Sequence, residues 1–338
     1  MRMLDEIDWG SLSHAYGPAT DTAAHLAALT SANPDARQAA LDHLDAAVLH
    51  QGFPASATAP AAHVVAGLLA RGEADPEVRD GLIEFLGEVA AATSTAAGDP
   101  YSEDLLAPLQ RAIQESYPVV VGFLDHHDRW VRKRAVEAAI SHARTQVLAE
   151  QRPILAARLR IWADDPSEER AYWVRRLGEL DIDTEQYLTD PDAEVRVCAA
   201  LAPGLGDNPA ATDIIVAALV HAADHGIADP ALYRLGEIVA AALVRVADFE
   251  RIAAPAETII RHADWTGFDR TWGPLLLAAF DTPYDEHIEP SATQRRILTA
   301  LVDNPLVWNH RIGNSLSVFR RAGLPFEREA CARIAGEV

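Results

Sequence analysis

Two histidines, His221 and His225, stand four residues apart in the stretch HAADH, with Asp224 between them. On a helix that spacing puts both imidazoles on one face, where they could meet one metal ion. A working site needs a third convergent ligand and none lies nearby in the sequence, so neither a metal nor a cofactor is expected. Nucleophilic chemistry is no better served. Cys198 sits among alanines, where a small buried hydrophobe is expected, and the chain has no G-x-S-x-G turn. A G-x-G-x-x-G or P-loop phosphate cradle is absent as well. The remaining candidates are cationic and aromatic. HHDRWVRKR, from His126 to Arg134, holds the chain's one lysine, Lys133, and YWVRR, from Tyr172 to Arg176, echoes it. Trp130, Arg132, Lys133 and Arg134, with Tyr172, Trp173, Arg175 and Arg176, are therefore the expected binding residues, because aromatics and arginine dominate interface energies.

The whole chain limits what such a patch would bind. Its 338 residues carry 29 basic and 50 acidic side chains, a formal charge of -21. A polyanion would meet net repulsion, so nucleic acid is not expected and a protein or peptide partner is. With 49% apolar residues the chain can bury a substantial core. Cys198 and Cys331 lie far apart in helical-looking segments, which argues against a disulfide framework and for a reducing compartment. The first residues lack a secretory pattern and no long apolar run occurs, so no membrane association and a cytoplasmic location are expected.

The elements that must position these residues share one grammar. NPDARQAALDHL, DPEVRDGLIEFL, DRWVRKRAVEAA and DAEVRVCAALAP each place a capping residue four before an arginine. The pairs are Asn33 with Arg37, Asp75 with Arg79, Asp128 with Arg132, and Asp192 with Arg196. An Asp or Asn there can accept hydrogen bonds from the first free amides of a helix. The arginines are 42, 53 and 64 residues apart; an insertion at Ala91–Leu105 lengthens the middle gap, and a degenerate unit from Asp164 fits the last. Apolar stripes between them, such as APAAHVVAGLLARG and TDIIVAALVHAADHG, supply second helices, and strands are not supported. A period near 40 residues of paired helices predicts an all-α superhelix, a HEAT-like solenoid of about six to eight helical pairs. Residues 1–250 are expected to form the array and 251–338 a helical continuation or cap. Trp9 and Tyr16 are expected to cover the first pair, and Trp272 and Trp308 to plug the end.

The D-x-x-V-R-x-x-A-x-x-A-L pattern, strongest at Asp75–Leu82 and Asp192–Ala199, resembles bacterial HEAT-repeat proteins, including those with phycobilin-lyase-type repeats. IDWGSLSHAYGPATDTAAHLAAL from Ile7 and HQGFPASATAPAAHVVAGLL from His50 resemble an actinobacterial subgroup of them. The resemblance implies a fold; bilin-lyase activity is not carried over, because only scaffold positions match. Deoxyhypusine hydroxylases bind iron on HEAT arrays through His-Glu dipeptides, and this chain has none. The expectation is a non-catalytic interaction scaffold binding its partner on a concave face, in the manner of a bacterial immunity or regulatory protein. One alternative is a HEAT-like DNA glycosylase of the alkylpurine type, for which Trp265 and Asp269 would add an aromatic and a carboxylate to the basic patch. Another is a small-molecule enzyme with its site between helices.

Overall fold

The computed structural model describes residues 4, 6–98, 103–166, 168–308 and 313–336. It is all-helical, 69% helix in sixteen α-helices among the described residues. The chain divides into two compact units, Met1–Arg158 and Leu159–Val338, so residues 251–338 belong to the same unit as 159–250. No described helix is long and apolar enough to cross a membrane.

The first unit opens with a two-residue antiparallel pair, β1 (Ser13–His14) and β2 (Gly17–Pro18), where no strand was expected. Gly17 makes the tight return possible at a φ of 128°. The helices α1 (Thr22–Ala28), α2 (Pro34–His43), α3 (Thr58–Ala70), α4 (Arg79–Gly98), α5 (Glu103–Val121) and α6 (Arg129–Arg144) follow. Each packs on its neighbour in sequence or on the one after it: α3 touches α5, and α4 touches α6. The expected insertion at Ala91–Leu105 is largely helical, since α4 runs through Gly98 and α5 starts at Glu103; residues 99–102 lie outside the described residues.

Helix α7 (Arg152–Asp164) carries the boundary between the units. The second unit continues with α8 (Arg170–Glu179), α9 (Ala193–Ala200), α10 (Pro209–His225), α11 (Leu235–Arg245), α12 (Ala253–His262), α13 (Trp272–Ala279), α14 (Ala292–Asp303), α15 (Gly313–Arg321) and α16 (Arg328–Ala335). Here α10, α12, α14 and α16 touch in series, and so do α11, α13 and α15, which makes two layers of helices.

Capping follows the repeated grammar with one exception. Asn33, Asp128 and Asp192 are N-caps whose side chains accept from the amides of Asp35, of Trp130 and Val131, and of Glu194. Asp75 instead accepts from Glu77 in a turn, and α4 starts only at Arg79. The arginine that follows has a structural duty. Arg37 donates to the Ser31 carbonyl and Arg196 to the Asp190 carbonyl, each six residues back, so the guanidinium ties the incoming loop to the first helical turn. Arg37 also pairs with Asp75 and Glu77, reaching the loop ahead of α4.

Small residues let helices close on one another. A Cβ at Gly87 of α4 would stand 2.8 Å from the Ala138 Cα of α6, and one at Gly178 of α8 would stand 2.9 Å from the Ala202 Cβ. The cores are filled by aliphatic side chains with Trp173, Trp272, Phe280 and Phe319 among the largest fully buried residues. Trp9 is buried and Tyr16 is exposed; Trp308 packs on Phe319 and Phe326.

Candidate functional site

The residues expected to bind a partner separate into two sets. Asp128 caps α6 and places Trp130 on its first turn, where the indole is 62% exposed. The Arg129 guanidinium lies 4.7 Å from the ring centroid and the Lys133 ammonium 5.4 Å, so two cations attend one exposed aromatic face. Phe123, His126 and His127 form a chain of ring contacts just before the cap. Arg134 is engaged with Glu84 of α4 at 2.8 Å and Glu137 at 3.2 Å, which ties α6 to α4, and Arg132 is half-buried.

The echo in α8 is interior, which corrects its reading as a surface patch. Trp173 is fully buried, edge-on to Tyr172 and 4.7 Å from Trp162, and its indole N–H donates to Glu168. Tyr172 is buried under the Arg176 guanidinium, which stands 4.6 Å from its ring. Arg175 pairs with Glu237 at 2.5 Å and Arg176 with Glu179 at 2.7 Å. These four side chains hold α8 in its core. Trp265 is partly exposed in a 3-10 turn, and the Asp269 carboxylate lies 3.6 Å from the Arg270 guanidinium.

His221 and His225 stack at 4.5 Å, and the Nδ1–H of His225 donates to the His221 carbonyl. Both are exposed, and they belong to no three-ligand group among the described residues. His221 edges a cavity of about 240 Å³ floored by Val197, Ile214 and Ala218, with Glu194 accepting from the Tyr233 hydroxyl at 2.5 Å on its wall. Burial and that carboxylate push the Tyr233 phenol far above its ordinary range, so it is a hydrogen-bond donor and not a base. Cys198 and Cys331 are buried, and burial raises both thiols, Cys331 to about 12, which removes them as nucleophiles.

A second constellation was missed in the sequence. His14 of β1, Asp21 at the N-cap of α1, and His43 at the end of α2 each offer a ligand atom within 4.8 Å of the other two. The His14 Nε2 is 3.0 Å from Asp21 Oδ1, while the Tyr16 amide donates to Nδ1 at 3.1 Å. That fixes the neutral tautomer with its proton on Nε2, donated to Asp21. His25 lies flat on His43 at 4.1 Å, and His14 meets His43 edge-on at 5.5 Å. Thr22 Oγ1 hydrogen-bonds the His43 Nε2 at 3.0 Å. His50 donates Nδ1–H to the Ala46 carbonyl and meets Tyr16 edge-on.

The backbone is irregular at the same place. After His43 the chain enters a π-helical turn at Leu44–Val48, and Gln51 follows in the left-handed region at a φ of 53°. Such departures concentrate at functional sites. Burial lowers the His43 imidazole first, and the nearby His25 adds to it. Burial works to raise Asp21, but the His14 hydrogen bond and its own amide hold the carboxyl below the usual value. These residues come from a hairpin, a cap and a helix end, so no helical spacing announces them. The one sequence signal was the quoted HAYG and HQG stretches, which carry His14, Tyr16 and His50.

No family model matches this chain, and no curated protein matches it significantly.

Proposed function

We propose that this chain is a HEAT-like interaction module that binds a protein partner through the start of α6, with Trp130 as anchor and Arg129 and Lys133 as its cationic flanks. The observation that carries the reading is the exposed indole of Trp130 attended by two cations. Leaving so large an apolar ring in water gains nothing for the fold, while Trp and Arg are the side chains whose burial dominates binding energy. A chain of charge -21 fits poorly with a long polyanion, which favours a protein segment as the occupant. The burial of Tyr172 and Trp173 supports the same choice, since it leaves no second stacking platform from that motif. The scaffold part of the proposal draws on the series packing of α10 to α16, in which each helix touches the one two along in the chain, as helical repeats do. Sequestration of an enzyme or toxin is one use of such a module.

The test is paired capture from extracts of the protein's own cells, with the unaltered chain and W130A. A protein retained by the first and bound roughly thirtyfold more weakly by the second, about 2 kcal/mol, is the expected result. Equal capture by both, or recovery of nucleic acid with no protein, would overturn it.

A further inference from the structure

We propose that His14, Asp21 and His43 form a site for one divalent transition-metal ion of the zinc class. The donor set is two imidazole nitrogens and one carboxylate oxygen, the chemistry that such ions prefer. The ligand atoms lie within 4.8 Å of one another, and the His14 to Asp21 separation is 3.0 Å. Tetrahedral ligands at about 2.0–2.1 Å from zinc stand roughly 3.3 Å apart, so only His43 has to close in.

The three side chains are set by different elements. The His14 side chain is 6% exposed and that of Asp21 55%, so the ion enters past the carboxylate and meets the rings behind it. His25, flat against His43, backs that ring, and Thr22 fixes its plane. Neither supplies a ligand atom to the group of three. Three protein ligands leave a fourth position for water or an exogenous group, the arrangement of a reactive rather than a purely structural zinc site.

Acid–base catalysis by the same residues fits worse. A histidine oriented by an aspartate needs its far nitrogen free to act as base. The far nitrogen of His14 already accepts the Tyr16 amide, and Thr22, the hydroxyl beside His43, is fully buried. The Tyr16 contact also has a consequence for the metal. Neutral His14 keeps its proton on Nε2, where the ion must bind. To stay neutral while it binds the ion through Nε2, the ring must carry its proton on Nδ1 and part from the Tyr16 amide. Metal loading is therefore coupled to the hairpin turn, and the exposed Tyr16 reports it.

The experiment uses the full chain and Zn²⁺ alone, titrated by calorimetry, with Co²⁺ absorption as a second probe. One ion per chain at micromolar affinity or better is expected. In histidine-selective NMR of the unaltered protein, the ring signals of His14 and His43 should shift together while those of His221 and His225 stay. H43Q should weaken binding at least tenfold with its thermal midpoint close to the parent, and H221A/H225A should bind as the parent does. The NMR reading stands even where H43Q fails to fold. Absence of binding, binding that survives H43Q in a folded protein, or binding abolished by H221A/H225A would overturn the proposal.

Discussion

The starts of α6 and α8 carry nearly the same words, RWVRK and YWVRR, and put them to opposite use. In both, the valine is buried: Val131 in the first unit and Val174 in the second. The tryptophan before it is exposed in α6 and fully buried in α8. The caps differ in register. Asp128 stands three residues before Val131, whereas Glu169 stands five before Val174, so Trp173 sits beyond the first helical turn and Trp130 within it. The neighbours differ too, because Trp162 of α7 covers Trp173. A repeated motif thus fixes one helical face, while the fate of the adjacent residue is decided by what else packs there.

The sharpest test of this contrast is to remove the two indoles in turn. Trp173→Ala should cost about 3–5 kcal/mol of stability, as large aromatic truncations in cores do. Trp130→Ala should stay within about 0.5 kcal/mol, since its ring covers no core. Urea unfolding of both variants reads the difference, and equal losses would erase the distinction between anchor and core.

Next in size is a difference in acid sensitivity. Within α6, His142 is fully buried, donating Nδ1–H to the Ala138 carbonyl at 2.7 Å and accepting from the Ser116 hydroxyl at 2.9 Å. Burial lowers its pKa to about 4, and the Ala138 bond only partly opposes this. The unfolded chain takes up that proton near pH 6.5 and the native chain refuses it until about pH 4. Stability from this group is therefore complete above pH 6.5 and is lost as pH falls through that window, by up to about 3 kcal/mol. Helix α8 contains no histidine. Unfolding curves between pH 7 and 4 should steepen their decline in the parent and flatten in H142Q relative to its own value at pH 7.

The smallest expected effect lies where the two helices behave alike. Gly87 against Ala138 and Gly178 against Ala202 are both close approaches, so G87A and G178A should each destabilise by about 1–3 kcal/mol through overpacking. A neutral result at one position would mean that the glycine and its packing partner can separate slightly there, and thermal unfolding distinguishes the two.

Much of this was legible beforehand because it is local. Asn33, Asp128 and Asp192 cap helices within three residues of themselves, and apolar stripes such as that of α10 need only their own periodicity. Asp75 shows the limit: the same residue type closed a turn instead, and the helix began at Arg79. Tyr172 and Trp173 were misplaced on the surface because a basic, aromatic string looks alike whether its arginines meet solvent or Glu237 and Glu179. The meeting of His14, Asp21 and His43 was invisible because the chain must turn back through β2, α1 and α2 before the three approach.

The amino-acid sequence by itself determined the all-helical class and the positions of most helix starts, since capping, periodicity and charge act over a few residues. Only the tertiary structure decided which tryptophan faces water and which histidines share a site. Those outcomes depend on burial by elements distant in the chain, and burial sets both the worth of an aromatic ring and the meeting of polar groups.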